Sequence, residues 1–481
     1  MPNRLILLGM LVMPLGNLSF GQGAPTKETA VIQGTKSAGT LDQTLDGPVR
    51  VTVDWSSEQG VTTPQMFALD GFHAGNPALA ANPAYQSGLA FMGIGSIRYH
   101  NATDLSDSVA NEDGWLDMTR KTWAGEKITA ALKAWNPPGM VKIINIVGWP
   151  EWMRQDKDHR LDKSEYDAFA SFCADLVRIV NVEGGLGVQY FEVTNEKDGL
   201  YWIDPMSNKQ PDRVADLAEI YNRAAIAMKK VDPKIKVGGP AAMRPDGTEP
   251  LFRWVKAVQP NLDFLSVHMY ASGNAQDPDI QIFDRTESMG EASAALRKSL
   301  DAASPDRKIE LHVNEFNISW TWETHDARMT NYLGAVFDAL SLVQLATHGT
   351  DIINAWNECD GAYGKMDGEM KLRPPAQTYH LFNQFLVGTR VAVSTSQPHR
   401  VVPMAIKGGQ GDCLLLINRN SKDREVILAI KGWKQPATPV KISRIQASGF
   451  TEEQLFQSPG LLNGKPFVLP ANSVTVLHWQ N

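Results

Sequence analysis

The sequence predicts an α/β protein: a (β/α)8 TIM barrel followed by a C-terminal all-β sandwich domain. Three observations carry this. Between Met66 and Leu386, eight short β-branched or apolar runs alternate with stretches of helical spacing. Polar and ionisable residues stand at the C-terminal ends of those runs, where such barrels gather their chemistry. After about Gly388 the helix-length periodicity stops, and short strands between Gly, Pro, Asn and Ser turns take over. A doubly wound open sheet is the alternative, but no Gly-rich phosphate fingerprint follows the early strands. Glu183-Gly184-Gly185-Leu186-Gly187 precedes a strand and reads as a turn.

Taken in order, Arg4 precedes the apolar run Leu5 to Leu15, and Ser19-Phe20-Gly21 offers small residues for cleavage. Residues 1–21 are therefore expected to be a secretory signal, giving a secreted or periplasmic protein with no membrane segment in its mature form. Residues 22–48 are rich in Gly, Thr, Ser, Ala and Gln and read as a linker. The barrel is assigned to 49–388 and the sandwich to 389–481, with 49–55 an alternating strand that can join the second domain. The eight barrel strands are expected at 66–73, 97–100, 141–147, 188–194, 235–238, 262–270, 309–315 and 351–356. Helical spacing falls at 83–92, 166–180, 213–230, 252–258, 291–302, 329–346 and 377–386. The second domain shows strands at 401–406, 413–418, 426–430, 441–445 and 473–479.

Composition narrows the function classes. A formal charge of −7 gives no basic footprint for nucleic acid. Cys173, Cys359 and Cys413 are too few and scattered for a disulfide framework, and Cys173 and Cys413 fall in patterns that bury them. Thirteen tryptophans are enough to supply sugar-stacking surfaces beyond those that pack the core.

The chemistry gathers at the strand ends: Asp70 and His73, Arg98 and His100, Trp149, Asn195 and Glu196, His268 and Tyr270, Asn314 and Glu315, Trp356 and Glu358. A single strand-end Glu is ordinarily a rim or capping residue. Two of them, Glu196 on strand four and Glu315 on strand seven, among His, Tyr, Arg and Trp, fit glycoside cleavage. That reaction needs one acid to protonate the departing oxygen and one ionised carboxylate for the oxocarbenium-like carbon. Arg98 is the candidate to keep one Glu charged, and Asn195 can bind the sugar hydroxyl beside the reacting carbon. Glu192 shares the parity of Glu196, so it points into the barrel and needs a buried partner. His312 alternates away from Glu315 and reads as a packing histidine. No spacing such as His-Glu-x-x-His marks a zinc site, so neither a metal nor an organic cofactor is expected.

The span from roughly Phe67 to Leu386 resembles the retaining glycosidases of glycoside hydrolase family 39. The motifs are Ile97-Arg98-Tyr99-His100, Tyr190-Phe191-Glu192-Val193-Thr194-Asn195-Glu196, Asp263-Phe264-Leu265-Ser266-Val267-His268-Met269-Tyr270, Asn314-Glu315-Phe316-Asn317 and His325-Asp326. The resemblance implies Glu196 as acid/base and Glu315 as nucleophile. Thr194 and Lys197 stand where the family usually has Trp and Pro, close to the sugar pocket. The expected protein is a secreted retaining hydrolase of an oligo- or polysaccharide, exo-acting and β-xylosidase-like. Arg98, Asn195, His268 and Tyr270 hold the nucleophile and sugar hydroxyls, and His100 and Trp356 wall the pocket. Other sugars remain open: an α-L-iduronide, a galactoside or arabinoside, or endo action on an exopolysaccharide or marine polysaccharide. A non-catalytic carbohydrate-binding protein on the same barrel is the rival from another class.

Overall fold

The computed structural model describes residues 47–100, 114–202, 212–245, 249–322, 325–408, 410–433, 439–455 and 464–480. The expected signal and most of the linker lie outside these. Among the described residues no helix is long and apolar enough to cross a membrane.

Eight parallel strands close into a barrel in chain order. Barrel strands 1 to 8 are Phe67–Gly71, Ser96–Tyr99, Val141–Ile146, Tyr190–Val193, Lys236–Ala242, Phe264–Ser272, Glu310–Ser319 and Ile352–Ala355. Closure is made by strand 8 on strand 1, where Ile353 pairs with Phe67. Each strand expected from the sequence has its place here, with ends moved by a few residues.

The barrel interior changes character along its axis. Ala68, Ile143, Tyr190, Phe264 and Ile352 form an apolar layer near the N-terminal ends, with the His312 ring stacked 4.4 Å from Phe264. Two residues further on, the same face of each strand presents Asp70, Asn145, Glu192, Asn314 and Asn354, all buried. Strict alternation would place His312 and Glu315 on opposite faces. Both belong to the interior, because the register of strand 7 against strand 6 shifts between Val313 and Glu315. This irregularity re-aims the end of the strand, as a bulge does. His312 is a packed histidine, as read, but the argument from parity fails.

Outside the barrel, helix Gly125–Ala134 follows strand 2 and was not anticipated. Helix Asp279–Ala303 begins well before residue 291, its first half buried through Ile282, Phe283, Thr286 and Met289. The other long helices fall where periodicity puts them, and the short helices Pro77–Ala80 and Asp198–Tyr201 are additional.

The second region is one nine-stranded sheet. Val49–Thr62 lies inside it, antiparallel to Gly388–Thr395 and parallel to Arg424–Lys431. Val426 and Leu428 near one end of the strand order share an apolar core with Val440 and Ile442 near the other. The sheet therefore folds over on itself, and hydrogen bonding runs unbroken where two separate sheets would form a sandwich. Strand Gly411–Asn418 is buried on both faces. Leu414 and Leu416 enter the sheet's own core, while Cys413, Leu415 and Ile417 join the barrel's. Arg419 adds ion pairs to Asp284 and, at 2.6 Å, to Glu287 on helix Asp279–Ala303. All three cysteines are buried and free.

Candidate active site

The site is built upward from Arg98. Strand 2 carries its guanidinium into the barrel, fully buried. It donates to Asp70, to Glu192 at 2.8 Å, to Glu315 at 3.0 Å and to Asn195 at 2.7 Å. Burial disfavours its charge, but the Glu192, Asp70 and Glu315 carboxylates more than offset this and hold it firmly charged. Glu192 is itself braced by the side-chain amides of Asn145 at 2.7 Å and Asn314 at 2.8 Å. The buried partner that parity demanded for Glu192 is thus Arg98. Asp70, also buried, is pushed up by loss of solvent despite the Arg98 charge. With every guanidinium nitrogen turned to protein, Arg98 stands behind Glu315 and does not line the sugar pocket.

Glu196 follows strand 4 through a bent segment. Thr194 and Glu196 both adopt left-handed backbone, at φ 73° and 52°, a conformation costing roughly 1–2 kcal/mol per non-glycine residue. Neighbouring strands hold it: the N–H groups of Thr194, Asn195 and Glu196 donate to the carbonyls of Ile146, Val147 and Ala241. The strain turns Asn195 back to Arg98 and Glu196 toward His268. Glu315 enters from the irregular end of strand 7, where its Oε2 accepts from the Tyr270 hydroxyl at 2.8 Å.

His268 stands between the two glutamates. Nδ1 lies 2.8 Å from Glu196 Oε1 and Nε2 lies 3.3 Å from Glu315 Oε1. The facing oxygens of the two carboxylates lie within 4.8 Å of each other. Their exposures differ: the Glu196 side chain is 38% exposed and that of Glu315 only 7%. Burial pushes the Glu315 carboxyl up, against the pull of His268 and Arg98. Burial acts on Glu196 too, but the His268 hydrogen bond and charge bring it below the usual range. His268, desolvated though it is, is raised by the two carboxylates. Both carboxylates thus stabilise a proton on the imidazole. These three side chains can also reach a common cation, with which a proton on His268 would compete.

His100 approaches Glu315 at 3.7 Å. Burial, Arg98 and His268 hold its pKa far down, so it stays neutral. Trp356 is half-buried and meets the His100 ring edge-on at 5.0 Å and Phe72 at 4.8 Å. Glu358, singled out with Trp356, is turned away from this group. It is fully buried, with its carboxylate accepting the N–H groups of Phe72 and His73 at 2.8 Å. Asp198 was missed by the sequence reading. It is buried two residues from Glu196, braces the Met243 N–H with both oxygens at 3.1 Å, and burial pushes its pKa up to about 7.

A closed parallel barrel whose C-terminal rim sets two glutamates a few ångströms apart is the scaffold of a glycoside hydrolase, and this chain is one. Residues 187–362 match the family model described as glycosyl hydrolases family 39. A β-xylosidase of Caldicellulosiruptor saccharolyticus is 21% identical over 388 residues, covering 74% of this chain and 72% of that protein. The fold is also that of a family 39 β-xylosidase from Caulobacter crescentus, with TM-score 0.62 and 16% identity over 90% of this chain and all of the other. An α-L-arabinofuranosidase from Thermotoga maritima gives TM-score 0.66 at 12% identity, with 90% and 100% covered. The match to family 39 spans the stretch that holds Glu196, His268, Tyr270 and Glu315.

Proposed function

We propose that this enzyme is a secreted or periplasmic retaining glycosidase, exo-acting and β-xylosidase-like, with Glu315 as nucleophile and Glu196 as acid/base. The observation that carries this reading is the spacing of the two carboxylates, whose facing oxygens lie within 4.8 Å. Retaining enzymes hold their carboxyl groups about 5–5.5 Å apart, whereas inverting ones leave about 6.5–9.5 Å for a water.

The roles follow from depth and partners. Glu315 is the deeper group, aimed by Tyr270 and backed by the permanent charge of Arg98, as an attacking carboxylate requires. Glu196 faces the rim, where a leaving group departs. A sugar filling the site would remove the water still around Glu196, and that desolvation moves its proton affinity up toward the acid's task. His268 Nδ1, 2.8 Å away, stands where it can deliver that proton. Glu315 then bonds to the anomeric carbon as the glycosidic oxygen takes a proton from Glu196. In the second half Glu196 removes a proton from water, whose oxygen displaces Glu315. Asn195, fixed through its oxygen by Arg98, is placed to meet the neighbouring hydroxyl. His100 and Trp356 wall the pocket.

The β-xyloside preference rests on the name of the Caldicellulosiruptor relative, and export rests on the Arg4 and Leu5–Leu15 pattern. Proton NMR of p-nitrophenyl β-D-xyloside hydrolysis tests both specificity and stereochemistry. β-Xylose as the first-formed anomer is expected. α-Xylose would overturn the retaining assignment. Cleavage of p-nitrophenyl α-L-arabinofuranoside in place of the xyloside would overturn the sugar assignment alone.

A further inference from the structure

Of the thirteen tryptophans in the chain, two are exposed, and both lie in the segment leaving strand 7. Trp320 is 63% and Trp322 44% exposed. Neither is loose. The Trp320 N–H donates to the Ser272 carbonyl at 3.1 Å, and its ring lies so close over Gly273 that any side chain there would collide with it. Trp322 meets His325 edge-on at 5.5 Å and lies 5.5 Å from the Tyr363 ring. Thr321 between them is tied down through its N–H to the Ser319 hydroxyl at 3.2 Å.

The pair is continuous with the catalytic centre. Strand 7 runs straight from Glu315 to Ser319, which pairs with Ser272, and a strand rises about 3.3 Å per residue. Trp320 therefore stands roughly 15 Å beyond Glu315 along the chain. Tyr270 touches Glu315 at 2.8 Å, and Tyr363, whose ring lies against Trp322, is close enough to Glu315 to feel its charge. Large aromatic faces that are fixed by their surroundings and yet bare to water cost solvation, and such faces mark binding surfaces. A sugar ring, with one face of C–H groups and an equator of hydroxyls, suits them.

We infer that Trp320 and Trp322 form a stacking platform for the sugar units of a glycan chain beyond the bond being cleaved, so that the enzyme takes oligo- or polysaccharide rather than only the shortest glycosides. This rests on the glycosidase reading of the Glu196–Glu315 site and names a further part of its substrate.

The test compares chain lengths. For the W320A/W322A double variant, the ratio of kcat/KM on xylohexaose to kcat/KM on p-nitrophenyl β-D-xyloside should fall about tenfold, the scale of losing two aromatic contacts. An unchanged ratio, whatever either rate does, overturns the platform and leaves the glycosidase reading standing. Binding is read separately, by isothermal titration calorimetry with soluble xylan, arabinan and galactan. Binding of one of them by the wild type that is lost in the double variant supports the platform even if no xyloside is cleaved, in which case the sugar assignment of the active site falls instead. A wild type that binds none of the three overturns the platform.

Discussion

Nδ1 of His268 lies 2.8 Å from Oε1 of Glu196. Its other ring nitrogen faces Glu315 at 3.3 Å, so one imidazole sets the proton affinity of both carboxylates. It draws both down. In His268→Leu each glutamate loses a positive neighbour, and Glu196 loses a hydrogen bond as well, so both titrate at higher pH. The two limbs of the kcat/KM profile report the two ionisations of this coupled pair. Both limbs should move up by about one pH unit. A profile that moves down contradicts this account of the ring.

Arg98 compensates three carboxylates, and it does so without solvent. Arg98→Met leaves Asp70, Glu192 and Glu315 buried and unpaired, a loss of about 3–5 kcal/mol in stability for a broken buried pair. Arg98→Lys keeps the charge but cannot reach Asp70, Glu192, Glu315 and Asn195 together. It should therefore retain most of the melting temperature while activity falls about a hundredfold, measured by thermal unfolding and initial rates. Equal melting temperatures for the methionine variant and the wild type would refute the structural half of this.

Much of this arrangement was legible in the sequence because the barrel repeats its own signals. Eight β-branched or apolar runs, most of them ending in polar residues, set the order of strands and brought Arg98, Asn195, Glu196, His268, Tyr270 and Glu315 to one place. What was hidden depends on contacts between distant segments. The irregularity after Val313 is a matter of pairing with strand 6 and leaves no trace in Val313-Asn314-Glu315 itself. Glu358 has the look of a rim acid, but its loop turns it onto the N–H groups of Phe72 and His73. Helix Gly125–Ala134 has no side-chain cap and buries only Ile128, Ala131 and Leu132, too thin an apolar stripe to stand out. The first half of helix Asp279–Ala303 hides its buried face behind Thr286 and Gly290, the latter small because Gln344 and His348 press on it.

Asp198 gives a pH dependence of stability with a fixed sign. Burial holds its folded pKa at about 7, against 3.8 for the ordinary group. Between these values the folded chain binds a proton that the unfolded chain has released, so stability declines as pH rises from about 4 to 7 and stays lowered above. D198N keeps an oxygen for the Met243 N–H and cannot ionise. Its melting temperature relative to wild type should be higher at about pH 8 than at about pH 4.5. A difference independent of pH would show that Asp198 is not the titrating group.

The central claim is the division of labour between Glu196 and Glu315. Glu196→Ala loses the proton donor and the base, but a dinitrophenyl glycoside needs no acid to depart. Glu315 should still be glycosylated, and the intermediate should stall for want of a base to activate water. The most direct measurement is product analysis with this variant in azide, a nucleophile that needs no base. The account predicts restored turnover and a glycosyl azide of the same anomeric configuration as the substrate. An inverted glycosyl azide from Glu196→Ala, with one of retained configuration from Glu315→Ala, would contradict it by exchanging the two roles.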